Sequence, residues 1–158
     1  MSASARLEAL GLTLPEVATP VGTYVPAKAH GDLVYTSGQL PLVDGELLAV
    51  GVVGQRSGDV SPERALECAR ACILNALAAV ANASGGLDSI VSIVKITGFV
   101  ASAPGFTAQP AVINGASGVL ADVFGESGRH ARSAVGVASL PLGAPVEIEL
   151  IAQVRTLA

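Results

Sequence analysis

Between residues 61 and 84 apolar side chains recur at three- and four-residue steps: Leu66, Ala69, Ile73, Leu77 and Val80. That period puts them on one stripe of a long helix. Ser61-Pro62-Glu63 supplies its start, with a serine N-cap, a proline in the first turn and an acid at the positive end of the dipole. Gly85-Gly86 supplies its end. A second helical stripe runs through Val112, Ala116, Val119, Leu120 and Val123, with Thr107 as its cap and Pro110 in its first turn. Gly115 and Gly118 weaken this helix by roughly 1 kcal/mol each relative to alanine, and are expected to permit close packing against a sheet.

Period-two patterns mark the strands. Val146, Ile148, Leu150, Ala152 and Val154 face one way, and Glu147, Glu149, Ile151 and Gln153 the other. Ile90 to Val100 reads as a long strand with a partly polar face through Lys95 and Thr97. Leu33 to Ser37 and Arg132 to Ala138 are shorter strands, and Asp44-Gly45 turns a hairpin. Leu7 to Leu14 predicts a short helix ending near Gly11, after which Pro15, Pro20 and Pro26 hold the chain extended. The order strands, helix, strand, helix, two strands predicts an α+β fold with a mixed sheet and both long helices on one face.

Length and composition narrow the function. At 158 residues the chain fits one domain. Half of it is apolar (51%) and only 14% is charged, which excludes disorder and leaves apolar surface to be covered by another subunit. A net charge of −4, no basic run and 3% aromatics argue against nucleic-acid binding. Arg6 and Glu8 interrupt the N-terminus, so it does not read as a signal peptide. No charge-free apolar stretch of about 18 residues suggests a membrane span. Cys68 and Cys72 fall inside the first long helix and read as buried small hydrophobes, in keeping with a reducing cytoplasm. Two histidines, His30 and His130, stand outside any spaced set of metal ligands. No P-loop, dinucleotide fingerprint or nucleophile elbow is present.

What remains is a few polar residues in apolar surroundings. Arg132 at a strand edge is ordinarily a rim residue or half of an ion pair; its alternative is a bidentate anchor for a carboxylate. Glu147 and Glu149 are either a solvated sheet face or contain a general base. Tyr24 is ordinarily a packing residue.

Three segments together resemble the YjgF/RidA family, also called L-PSP proteins. They are Gly22-Thr23-Tyr24; Tyr35 to Pro41, reading Tyr-Thr-Ser-Gly-Gln-Leu-Pro; and Ala131 to Val135 with Leu140-Pro141 and Val146 to Glu149. The likeness covers roughly residues 20 to 155, with residues 1–17 as an N-terminal extension of a single domain. It implies a chorismate-mutase-like sheet with two helices on one face, a homotrimer with clefts between subunits, and no metal or organic cofactor. It implies hydrolysis of reactive enamines and imines, such as 2-aminoacrylate, to 2-keto acids and ammonia. Under it Arg132 grips the substrate carboxylate and Glu147 activates water, while Tyr24, Ser37, Gly38, Asn114 and Ala134 line the cleft. The chain departs from the pattern at Ala134, where many members have cysteine, and at His130, where familiar members often carry proline. A non-catalytic trimer binding small keto acids and an endoribonuclease are the alternatives the resemblance leaves open.

Overall fold

The computed structural model describes residues 1–20 and 22–155. Ser2 accepts a hydrogen bond from the Ala5 N–H and opens α1 (Ala3–Ala9). This helix sits nearer the N-terminus than the expected Leu7–Leu14. The Ser4 N–H donates to Asp88 at 2.9 Å, which ties the first turn to the body, and the chain leaves through Gly11 at φ 68°.

After an irregular stretch the chain enters β1 (Ala27–His30) and β2 (Leu33–Thr36), then a small hairpin of β3 (Leu42–Val43) and β4 (Glu46–Leu47). Asp44 and Gly45 both take positive φ in its turn, which is the backbone a two-residue hairpin demands. There follow α2 (Pro62–Ser84), β5 (Ile90–Ala101), α3 (Gln109–Phe124), β6 (Ala131–Val137) and β7 (Val146–Val154). The main sheet has the order β1-β2-β7-β5-β6. Only the β5–β6 pair is parallel, and α3 makes the crossover between them. The expected mixed α+β sheet is therefore observed.

Both long helices cover one face. The alternation in β7 places Val146, Ile148, Leu150, Ala152 and Val154 under them, fully or almost fully buried. From α2, Ile73, Leu77 and Val80 meet that layer, and from α3, Ile113 and Leu120 do so. Ser61 caps α2 by accepting the Arg64 N–H at 3.1 Å, and Gly85 closes it in the left-handed conformation at φ 84°. The Thr107 cap on α3 is not made: Ala108 precedes the helix and no side chain caps it. Pro110 in the first turn lacks an N–H, so one orphan donor is absent there from the start.

Gly115 does not face the sheet as expected, because it lies against α2. A Cβ at that position would overlap the Leu66 carbonyl oxygen, while Gly118 has nothing within 4 Å. The close approach of α2 and α3 thus depends on a missing side chain. Gly115→Ala gains roughly 1 kcal/mol of helix propensity, but forces two backbones apart at an overpacking cost of about 1–3 kcal/mol. The expected result is a net loss of stability, read as a lower urea midpoint at fixed protein concentration. Gly118→Ala, with open space, is expected to shift the midpoint upward.

The opposite sheet face has no helix. Tyr35, Phe99, Val135 and Ile151 line it, with Tyr35 and Val135 over 40% exposed. Lys95, Thr97, Glu147 and Glu149 share this face, so the exposed Tyr35 and Val135 form apolar patches on a mixed surface bounded by the edge of β6, a surface suited to a protein neighbour.

Candidate functional site

Arg132 lies on edge strand β6, paired with Ile96 of β5, which pairs in turn with Leu150 of β7. That register puts Arg132 on the helix-covered side of the sheet, beside α3. There its Nη1 donates to Asn114 Oδ1 at 2.8 Å and to Ser117 Oγ at 3.2 Å. Asn114 and Ser117 are one helical turn apart and so present both acceptors on the same face of α3.

Ser117 Oγ is also 3.0 Å from His130 Nε2, and His130 Nδ1 is 2.6 Å from the Gly128 carbonyl. A carbonyl can only accept, so Nδ1 carries the proton. In the neutral ring Nε2 then accepts the Ser117 hydroxyl, leaving a Ser117 lone pair for the guanidinium. The two bonds to Asn114 and Ser117 engage Nη1 alone. Among the described residues no acid pairs with Arg132. Its Nη2–Nε edge makes no hydrogen bond among the described residues, and that edge has the fork geometry a carboxylate fits.

Glu147 pairs with Phe99, itself level with Val135, and so projects from the other face. Between the Tyr35–Ile151 pair and the Gln39–Ile148 bridge, three residues of one strand oppose two of the other. This is a β-bulge. Thr36 Oγ1 accepts the Leu150 N–H at 2.9 Å within it, and Gln39 restores pairing beyond it. Asn75 of α2 donates to the Leu40 and Leu42 carbonyls, both at 3.0 Å, and holds the segment down. The bulge brings Gly38 against Glu147 so closely that a Cβ on Gly38 would fall on the carboxylate. Ser37 Oγ donates to the Val25 carbonyl at 2.6 Å, and Tyr24 shares a pocket with Gly38.

The Glu147 carboxyl is half-buried, and burial raises its pKa above the ordinary value; the negative charge of Glu149 two residues along adds to the rise. Desolvation of this sort makes a carboxylate a stronger base. The cysteines offer no comparable reactivity. Burial pushes the Cys68 thiol up to about 11 and the Cys72 thiol well above its ordinary value, so neither supplies a thiolate at neutral pH. No group of three His, Cys, Asp or Glu converges among the described residues.

The seven residues singled out from the sequence thus fall into two groups. Arg132, Asn114 and Ala134 lie along the β6–α3 edge; Tyr24, Ser37, Gly38 and Glu147 gather at the β2–β7 bulge. One chain does not bring the groups together, because they occupy opposite faces of the sheet. Ser117 and His130 were not anticipated. The signal for Ser117 was available, since it lies three residues after Asn114; that for His130 was not, because the Gly128 carbonyl that fixes its ring belongs to a turn of 3-10 helix at Gly125–Gly128.

Residues 4–154 match the family model described as "YjgF/chorismate mutase-like, putative endoribonuclease". Protein TCP17 of Trypanosoma cruzi is 42% identical over 155 residues, covering 96% of this chain and 94% of its own. The crystal structure of Atu1372 from Agrobacterium tumefaciens, a protein of unknown function, is 45% identical with a TM-score of 0.85, covering 97% of this chain and 92% of its own. The crystal structure of TdcF from E. coli with bound serine is 30% identical with a TM-score of 0.60, covering 89% and 94%.

Proposed function

The chain belongs to the YjgF/chorismate mutase-like family, and from that premise and its two half-sites we propose that it hydrolyses 2-imino acids and their enamine tautomers to 2-keto acids and ammonia. The observation that carries the reading is the guanidinium of Arg132, fixed on one side by Asn114 and Ser117 and open on the other. It suits a small ligand with a planar carboxylate. The serine bound to TdcF is a molecule of that kind.

The family's small-ligand-binding oligomers supply the rest of the arrangement. A neighbouring copy covers the exposed Tyr35 and Val135 in a homotrimer and sets the Arg132 edge of one subunit opposite the Glu147 bulge of the next. With the carboxylate held, the electrophilic imine carbon is fixed beside a water on Glu147. Glu147 removes a proton from that water as its oxygen bonds to carbon, giving a tetrahedral carbinolamine. The proton then passes from Glu147 to the amine nitrogen, the C–N bond breaks and ammonia leaves, and the carboxylate so regenerated takes the hydroxyl proton as the C=O forms and releases it to solvent. The elevated pKa of Glu147 suits both the uptake and the return of that proton.

Ala134 removes any part for a thiol beside Arg132, which the proposed reaction does not need. The endoribonuclease reading has less support: the chain carries a net charge of −4, and nothing around Arg132 forms a basic track for a phosphate backbone. The deciding experiment generates 2-iminopropanoate in situ from alanine with an amino-acid oxidase and follows keto-acid release. Acceleration over the uncatalysed rate supports the proposal, and an inert protein across a panel of imino acids sinks it. Calorimetric binding of keto acids without turnover would instead identify a ligand-binding regulator.

A further inference from the structure

Beside Tyr24 and Gly38 of the Glu147 half-site lies a cavity of about 160 Å³ that the mechanism leaves unused. Its walls are mostly apolar, with Thr19 and Gln39 as the polar exceptions. Ala18 and Pro20 come from the irregular N-terminal segment, Leu40 and Leu42 from the stretch held by Asn75, and Pro141 and Leu142 from the turn before β7. Tyr24 and Gly38 also line it, and Gly38 is the residue packed against the Glu147 carboxylate. A cavity of about 150 Å³ with an apolar lining holds a benzene ring, so this one has room for a branched aliphatic or phenyl group, far more than the methyl of 2-iminopropanoate requires.

Leu142 adds an independent observation. It is 67% exposed and sits at φ 60°. Left-handed backbone is strained for a bulky L-residue and is retained where the local structure has a use for it. Two neighbouring bonds pin the turn: the Gly143 N–H donates to the Leu140 carbonyl at 3.1 Å, and the Gly51 N–H donates to the Gly143 carbonyl at 2.8 Å. The result is a large apolar side chain held at the rim of a pocket that already has five apolar walls.

Resting on the imine-hydrolase reading, we infer that this pocket takes the side chain of the substrate, and that the preferred substrates are 2-imino acids with branched aliphatic or aromatic side chains. Arg132 of one copy holds the carboxylate, Glu147 addresses the imine carbon, and the side chain points away from both into the pocket beneath Ala18 and Leu142.

The test compares kcat/KM for imines made in situ from leucine and from alanine, in the full-length protein and two variants. Wild type is expected to favour the leucine-derived imine by tenfold or more, the scale on which an apolar pocket discriminates by a few methylenes. Leu142→Gly relieves the left-handed strain, so the fold is retained, and it is expected to lower that ratio about tenfold. Ala18→Leu fills the pocket and is expected to lower the ratio as well. A ratio near one in wild type, or one that neither variant moves, overturns the pocket assignment. So does a change in oligomeric mass on Leu142→Gly, which would make Leu142 an interface residue. If no imine is turned over, the hydrolase reading fails by itself. The pocket is then read by calorimetry with 4-methyl-2-oxopentanoate against pyruvate: tighter binding of the former, reduced in both variants, supports it, and equal binding overturns it.

Discussion

Arg132→Ala is expected to lower kcat/KM for a 2-imino acid by roughly 10²- to 10⁴-fold while leaving the oligomer intact. The magnitude follows from the open edge of the guanidinium. Two charge-assisted hydrogen bonds to a carboxylate are worth roughly 1.5–3 kcal/mol each, and losing both gives that range at about 1.4 kcal/mol per factor of ten. Arg132→Lys separates charge from geometry. Lysine keeps the positive charge but presents a single point in place of a planar fork, and it cannot span Asn114 and a ligand together. Its expected loss is roughly 10- to 100-fold, carried by KM and kcat together as the carboxylate is held less firmly. Neither change leaves a buried group stranded, because Arg132 is on an edge strand and Asn114 is exposed on α3. The control is light scattering on each variant. A particle of wild-type size with wild-type kcat/KM in Arg132→Ala would remove the anchor from the proposal.

The contrast between the two half-sites also explains what the sequence made legible. Strong periodicity with good end signals was enough for α2 and β7: Ser61, Gly85 and the alternation from Val146 to Val154 lie where they were expected. The start of α3 was misread because Thr107 is a plausible cap by type, whereas the backbone enters the helix one residue later through Ala108. β1 was missed because Ala27-Lys28-Ala29-His30 is a solvent-facing edge with only one half-buried residue, so no apolar alternation betrays it. Gly115 was assigned to the wrong neighbour because periodicity says which residues are inside but not which element they meet. At the site, the face of Glu147 was readable and the rest was not. Counting parity along β7 places Glu147 away from the core, but the side taken by Arg132 depends on the β5–β6 register, which no local pattern encodes. The bulge at Ser37-Gly38 likewise follows from pairing across more than a hundred residues.

Glu147→Gln is expected to cost about 10²- to 10⁴-fold in turnover, the usual scale for removing a general base, and at the same time to stabilise the protein at neutral pH. The second effect follows from the direction of the pKa shift. Burial first, and the Glu149 charge second, raise the Glu147 pKa in the folded chain above its unfolded value near 4.3. Over the interval between those two values the native state holds a proton that the unfolded state has released. Stability therefore falls as pH rises through that interval, and the full penalty is present above the folded pKa. Glutamine is isosteric and uncharged, so it is spared the penalty. The thermal midpoints of wild type and Glu147→Gln are expected to coincide below about pH 4 and to separate as pH rises, with the variant higher. Wild-type kcat/KM is expected to climb over the same interval, since the base must be ionised to take the proton from water. A midpoint difference that does not depend on pH would show that the shift is not felt in folding. A fully active Glu147→Gln would leave the water without its proposed base. Found together, gain in stability and loss of turnover would identify the desolvated carboxylate beside Gly38 as a group held in an unfavourable state because the reaction uses it.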